Sequence, residues 1–199
     1  MIYLFDDMEN IPADVISKTF SLMPIERQQR AARYRRNNDR DFSVLVYWLL
    51  LCGLKQEYGL VKPPTFTYGE NKKPYIAERP DIFFNFSHCR SGVVCAVSDC
   101  EVGIDIQDVR TYNLDVAKRV CTGKELEQLA QSQEPEKLFC MLWTIKESFV
   151  KWQGKSIVYP LQSLCAHTIA EQVACKRVAH WHNDYHIHCF GENVIKKVS

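Results

Sequence analysis

An α+β fold made of two similar half-domains is what the sequence predicts, and three observations carry that expectation. Strand-like and helix-like segments are interleaved irregularly, with turns suited to hairpins, whereas a doubly wound parallel sheet would alternate them one for one. The second half repeats the plan of the first loosely. A polar stretch at Ser98–Glu101 falls near the midpoint of the 199 residues, which divides the chain into 1–98 and 99–199. Each half is expected to hold a small, mostly antiparallel sheet packed with helices.

Each element has its own signature. Ile2–Phe5 is a short apolar run that opens the chain as a strand. Pro24 suits the first turn of a helix, and Ile25–Arg36 follows without glycine or proline. Asn37-Asn38-Asp39 reads as a break or cap. Phe42, Leu45, Val46, Leu49 and Leu50 then recur at helical spacing, so Asp39–Tyr58 is expected as a buried helix stopped by Gly59. Lys62-Pro63-Pro64 is a linker turn, and Phe66–Tyr68 with the turn Asn71-Lys72-Lys73-Pro74 predicts a short hairpin. Strands are expected at Ile82–Phe86, Val93–Val97 and Val102–Ile106. Helices follow at Asn113–Val120, at Lys124–Ala130 with Thr122 as N-cap, and at Glu136–Gln153. The last strands are placed at Ser163–Ile169, Val173–Trp181 and Tyr185–Phe190.

Composition excludes several classes. With 46% apolar residues and 25 basic against 24 acidic side chains, the net charge is +1. A disordered chain needs low hydrophobicity and high net charge, so that class is excluded; the balance also weakens the case for a general nucleic-acid binder, which is usually strongly basic. The nine cysteines are odd in number and form no C-x-x-C, so neither a zinc ribbon nor a thioredoxin-like site is signalled. Met1–Glu9 carries acids where a secretory signal needs a basic start and an apolar run. The longest apolar stretch, Phe42–Leu54, falls short of the roughly 20 residues of a membrane span. A reduced, cytoplasmic protein is expected, its cysteines acting as small buried hydrophobes.

Four segments could carry chemistry. In Val102-Gly-Ile-Asp-Ile-Gln-Asp-Val-Arg110 a strand puts Asp105 and Gln107 on one face, with Ile104, Ile106 and Asp108 on the other. A carboxylate inside an apolar strand must be hydrogen-bonded, paired or metal-bound, although one at the strand end can simply close a turn. In the helix around Trp143–Gly154, Leu138, Leu142, Ile145, Phe149 and Trp152 form the core stripe, leaving Glu147 and Lys151 together at its side. Such a pair is commonly a surface ion pair. The competing reading is a carboxylate that binds metal or takes a proton, with an ammonium one turn on that grips phosphate.

The third segment is Phe83-Phe-Asn-Phe-Ser-His-Cys-Arg-Ser-Gly92, where a strand ending near Ser87 leaves His88 at its end, a place where loops often carry sites. The fourth is the arginine run Arg27, Arg30, Arg33, Arg35, Arg36 and Arg40, a local basic concentration whose guanidinium forks suit phosphate. Lys72 and Lys73 could add to it. His180, His182, His186 and His188 do not make one metal site, because an Asn183-Asp184 hairpin turn puts His186 and His188 on the sheet face away from His180.

Taken together, the segments resemble the 4′-phosphopantetheinyl transferase superfamily, in particular its longer surfactin-synthetase-type members with two fused halves. The family's G-[IV]-D-[IVL]-E strand matches Gly103–Gln107, and its W-[ST]-x-K-E-[AS]-x-x-K-x-x-G-x-[GS] helix matches Trp143–Ser156. Its [FN]-N-[ILF]-S-H-[ST] strand matches Phe84–Cys89, and its G-x-x-x-K-P turn matches Gly69–Pro74.

The resemblance implies transfer of 4′-phosphopantetheine from coenzyme A to a serine of an acyl or peptidyl carrier protein, releasing adenosine 3′,5′-bisphosphate. It places the active site in the cleft between the halves. It implies Mg²⁺ held by Asp105 and Glu147, with Glu147 also helping to deprotonate the serine and Lys151 stabilising charge on the pyrophosphate. Ser87, His88, Lys73, Arg33 and Arg36, with Lys151, would hold coenzyme A. Gln107 stands where many relatives carry a third acidic ligand and is counted with the metal residues; its amide is neutral and weaker, so it binds through water or only orients the site, and two carboxylates, phosphates and waters are expected around the metal, with Asp108 turned away. The partners implied are coenzyme A and an apo carrier protein docking on a basic or apolar lip, with no nucleic acid, no membrane and a monomeric chain. Two other readings stand beside this one: a non-catalytic arginine-rich module for nucleotides or RNA, and a Cys89 thiol nucleophile beside His88.

Overall fold

The computed structural model describes residues 1–34, 37–155, 159–173 and 175–198. Mixed α and β elements form small sheets packed against helices. The first sheet runs in the order β4 (Phe83–Cys89), β5 (Gly92–Ser98), β1 (Ile2–Phe5) and β9 (Ile195–Lys197). β5 is antiparallel to both β4 and β1, whereas β9 joins β1 in parallel. A hairpin of β2 (Phe66–Tyr68) and β3 (Pro74–Ile76) stands apart, turning through Lys72 at φ 61°. The third sheet is antiparallel, in the order β6 (Gly103–Asp108), β8 (Tyr185–Phe190) and β7 (Arg177–Trp181).

Strand alternation builds the layers. Tyr3, Phe5, Val93, Cys95 and Val97 pack on Val44, Leu45, Tyr47, Leu49 and Leu50 of α3 (Asn37–Tyr58). Their neighbours Ile2, Leu4, Val94 and Ala96 point the other way, onto Ile104, Ile106, Ile187 and Cys189 of the third sheet. β5 is therefore buried on both faces along its whole length. On the far side of the third sheet lies α6 (Pro135–Trp152), whose Leu142, Ile145 and Phe149 share a cluster with Phe190. That helix crosses β6 so closely that a Cβ on Gly103 would sit 2.2 Å from the Ser148 carbonyl oxygen and the Trp152 nitrogen. Glycine is thus required where the motif strand passes under the motif helix. Among the described residues no helix is long and apolar enough to cross a membrane.

Several elements depart from the sequence reading. α1 (Ala13–Leu22) was not foreseen, and α2 spans Ile25–Ala32, ending short of Arg36. α4 (Leu114–Val120) and α5 (Gly123–Gln131) arise as expected, with Thr122 and Glu125 closing a capping box at the start of α5. Ser163–Ile169 is not a strand: a 3₁₀ turn at Leu161–Ser163 leads into α7 (Ala166–Gln172). Short apolar runs fit either state, and here the first helical N–H, that of Ala166, is capped by Glu125 Oε1 at 2.9 Å. That cap comes from α5, so nothing near Ala166 in sequence announces it. β4 runs on to Cys89, which puts His88 opposite Val93 inside the ladder and not beyond its end.

Candidate active site

β4 is an edge of the first sheet and β6 an edge of the third, and side chains tie the two together. Asn85 Oδ1 accepts the Ile104 N–H at 3.1 Å, and both oxygens of Asp108 accept backbone N–H groups, from Ser91 at 3.0 Å and Arg90 at 3.1 Å. Asp108 is the aspartate that closes a turn. Asp105, three residues earlier, faces α6 and is only 5% exposed. Its Oδ1 accepts from Ser87 Oγ at 2.7 Å and from Lys151 Nζ at 2.6 Å. Lys151 also donates to the Ile104 carbonyl at 3.1 Å and to Ser87 Oγ at 3.2 Å. Its ion pair is therefore with the strand, not with Glu147 one turn away on its own helix. Among the described residues, the buried Asp105 Oδ2 has no hydrogen-bond partner.

Glu147 is half-buried on the same side of α6. Burial, then the negative charge of Asp105, pushes its carboxyl above the ordinary value of 4.5, and Lys151 offsets this only in part. Glu147 thus feels the charges of both Asp105 and Lys151, which pair with each other. His88 lies on the other face of β4 against the Phe42 ring, 5.3 Å between centroids. Partial desolvation and the Lys151 charge hold its imidazole below 6.5. Gln107 lies two residues along from Asp105, opposite His186, and its carbonyl accepts from Cys140 Sγ at 3.2 Å. It borders a cavity of about 300 Å³ lined also by Arg110, Tyr112 and Trp143.

The remaining expected ligands stand elsewhere. Lys73 is buried and its ammonium has three internal acceptors: Glu101 at 2.6 Å, the Lys151 carbonyl at 3.0 Å and the Val102 carbonyl at 3.1 Å. It clamps the β2–β3 hairpin to the end of α6. Arg33 is exposed at the C-cap of α2, and Arg36 lies outside the described residues. Two of the described arginines of that run are packed on aromatic rings: Arg27 lies over Phe86, Tyr47 and Phe66 at 5.1, 5.5 and 5.9 Å, and Arg40 over Phe20 at 4.9 Å. Cys89 is buried, and desolvation with the nearby Asp108 charge raises its thiol pKa, which is the reverse of an activated nucleophile.

Two features escaped the sequence reading. Lys146, inside the motif, is fully buried; it bonds Glu125 and the Val120 carbonyl, and Glu125 also accepts the Thr122 N–H at 2.7 Å. The signal was present, since Lys146 lies on the stripe of Leu142 and Phe149, where a lysine needs a buried partner. His186 and His188 take the face expected of them, but their partners on α6 were not legible. Thr144 Oγ1 and His186 Nδ1 are hydrogen-bonded, as are Ser148 Oγ and His188 Nδ1 at 2.9 Å.

A buried carboxylate oxygen without a partner, a second crowded carboxylate and an adjacent ammonium define the class of site: one suited to a cation and a phosphate. Comparison with known proteins agrees. A family model described as the 4′-phosphopantetheinyl transferase superfamily matches residues 101–194, which include β6 and α6. The chain is 34% identical over 143 residues to a 4′-phosphopantetheinyl transferase of Bacillus subtilis, covering 69% of this chain and 63% of that protein. With the 4′-phosphopantetheinyl transferase Sfp of Bacillus subtilis strain 168 it shares 32% over 146 residues, covering 72% and 65%. With a 4′-phosphopantetheinyl transferase of Bacillus pumilus it shares 32% over 156 residues, covering 77% and 67%. The chain belongs to the 4′-phosphopantetheinyl transferase superfamily. The match spans a little under two thirds of the length of the first two relatives. These comparisons lend no support to an arginine-rich RNA- or nucleotide-binding module.

Proposed function

We propose that this protein transfers 4′-phosphopantetheine from coenzyme A to a serine of an acyl or peptidyl carrier protein, releasing adenosine 3′,5′-bisphosphate. The observation that carries the reading is Asp105: one oxygen is bound by Lys151 and Ser87, the other is buried without a partner among the described residues, and its charge is felt by Glu147, all on the motif residues of the family. An orphaned anionic oxygen is costly without a cation. Mg²⁺ fits, because it binds through one or two carboxylates and completes its shell with phosphates and water. Among the described residues no three His, Cys, Asp or Glu side chains gather to cage a metal. Asp105 and Glu147 would hold it, with the neutral Gln107 amide at the margin. When bound it would draw charge from the pyrophosphate and make phosphorus more electrophilic.

The chain's own groups then have distinct tasks. Glu147 takes the proton of the carrier serine, whose oxygen bonds to phosphorus as the pyrophosphate P–O bond breaks. Burial and the Asp105 charge favour its protonated form, which suits it to accept a proton. Lys151 stabilises the charge left on the departing phosphate. Ser87, His88, Arg33 and Arg36 bind the nucleotide end. Lys73 belongs to the same group of contacts, and its internal acceptors support a role in holding the end of α6 while coenzyme A is bound.

The finer architecture is part of the proposal: half-domains 1–98 and 99–199 with the site in the cleft between them, in a monomer of the cytoplasm. The side-chain bonds from Asn85 and Ser87 between β4 and β6, with those of Asp108 to the turn after β4, support a site on that seam, and the nine free cysteines support a reducing compartment. Mass spectrometry of an apo carrier protein incubated with the chain, coenzyme A and Mg²⁺ tests the activity. The phosphopantetheine mass gain is expected with wild type and lost in Glu147→Ala and Asp105→Ala. No gain across acyl, peptidyl and aryl carriers would overturn it.

A further inference from the structure

The face of the third sheet under α6 carries two histidines in register with the acidic strand. His188 stands opposite Asp105 and His186 opposite Gln107, so their side chains share the face that points at α6. Each meets a hydroxyl of that helix: His188 Nδ1 with Ser148 Oγ, and His186 Nδ1 with Thr144 Oγ1. Ser148 follows Glu147 directly, and Thr144 lies three residues before it. All four side chains are buried, at 3% exposure or less. Each hydroxyl also reaches the carbonyl one turn back, Ile145 from Ser148 at 3.0 Å and Met141 from Thr144 at 3.1 Å. With its single proton given to that carbonyl, the hydroxyl accepts from an Nδ1–H imidazole, which makes a directional link from sheet to helix.

Lys151 and Cys140 already tie α6 to β6, the first toward the end of the helix and the second in its earlier half. The two hydroxyl–imidazole bonds add directional ties to β8 that bracket Glu147. Among the described residues, the buried His186 Nε2 has no partner, so this histidine is a poor choice for cohesion by itself. We propose that His188 and His186 are positioning residues which, through Ser148 and Thr144, set where α6 holds Glu147 relative to Asp105, and so tune the affinity of the cation site. This rests on the reading of Asp105 and Glu147 as that site.

The test is direct binding of Mn²⁺, followed by electron paramagnetic resonance, to the full-length chain and its variants. Ser148→Ala and His188→Leu are expected to weaken Mn²⁺ binding about 10-fold or more, as supporting residues around metal sites do. The double variant should be no weaker than the weaker single one, since both act through one bond. His188→Asn, whose amide falls where Nδ1 lies, should restore binding, whereas His188→Gln should not. A Ser148→Ala protein with wild-type circular dichroism and wild-type Mn²⁺ affinity would overturn the inference even if its melting temperature fell. Asp105→Asn separates the two layers of argument: if it leaves Mn²⁺ binding unchanged, the site reading itself fails and the positioning role with it.

Discussion

Lys151 Nζ lies 2.6 Å from Asp105 Oδ1, and the same oxygen takes the Ser87 hydroxyl at 2.7 Å. A helix, a strand of one sheet and a strand of another thus meet at one carboxylate. The ammonium is already oriented and partly desolvated. On the proposed reaction, a charge placed in advance beside the phosphate that loses its leaving group needs no reorganisation at the moment of reaction. Lys151→Ala is therefore expected to lower kcat about 10²–10³-fold, with a smaller change in KM for coenzyme A, as measured by carrier modification rates.

Glu147 is held at a cost to the fold. Its folded carboxyl pKa is raised by burial and by Asp105, so the stability it contributes is fully present below the ordinary carboxylate range and is lost as pH rises through the raised value. At neutral pH without metal, Glu147→Gln should abolish transfer and yet raise Tm by a few degrees. Calorimetry showing a lower Tm for that variant would count against the crowding described here.

The histidine pair should make the protein acid-sensitive. Burial, with a smaller contribution from His180, lowers His186 to about 4; burial, with His186 and Arg177, lowers His188 to about 3. A depressed pKa means that the stability is present above the unfolded value of 6.5 and drains as pH falls towards the folded one. Urea titrations from pH 7 to 4 should show stability falling by up to about 1.4 kcal/mol per pH unit for each histidine. His188→Asn should flatten that slope.

Gly103→Ala tests the helix crossing. The added carbon would lie 2.2 Å from main-chain atoms of Ser148 and Trp152, neither of which can swing away. A loss of about 3 kcal/mol or more in chemical denaturation is expected, from overpacking against backbone. Activity should fall with it, because α6 carries Glu147 and Lys151.

Lys146→Met strands Glu125, which has one oxygen on Ala166 N and the other on Thr122 N and Lys146. Burial raises the Glu125 pKa, and Lys146 and the two amides outweigh it, leaving it below 4.5. Removing the cation should cost about 3–5 kcal/mol by urea unfolding, as breaking a buried pair does. The contribution of Glu125 is present above the ordinary carboxylate range and is lost as pH falls through the depressed value.

What the sequence by itself determined is whatever depends on neighbours within a turn or a strand. Alternation put Asp105 and Gln107 on one face of β6 and sent Asp108 to the other, and the structure keeps both placements. Helical spacing found the core stripe of α6, and Thr122 announced the start of α5. Motif order was enough to indicate the family. Only the tertiary structure decided contacts between distant segments: the cap of α7 by Glu125, the parallel pairing of β9 with β1, and the internal acceptors of Lys73. It also decided that Lys151 pairs with Asp105, 46 residues away, and not with Glu147 one turn off. Periodicity is set by local backbone geometry and so is written locally. The partner of a buried charge is set by how layers stack, and no local pattern records which layer will lie above.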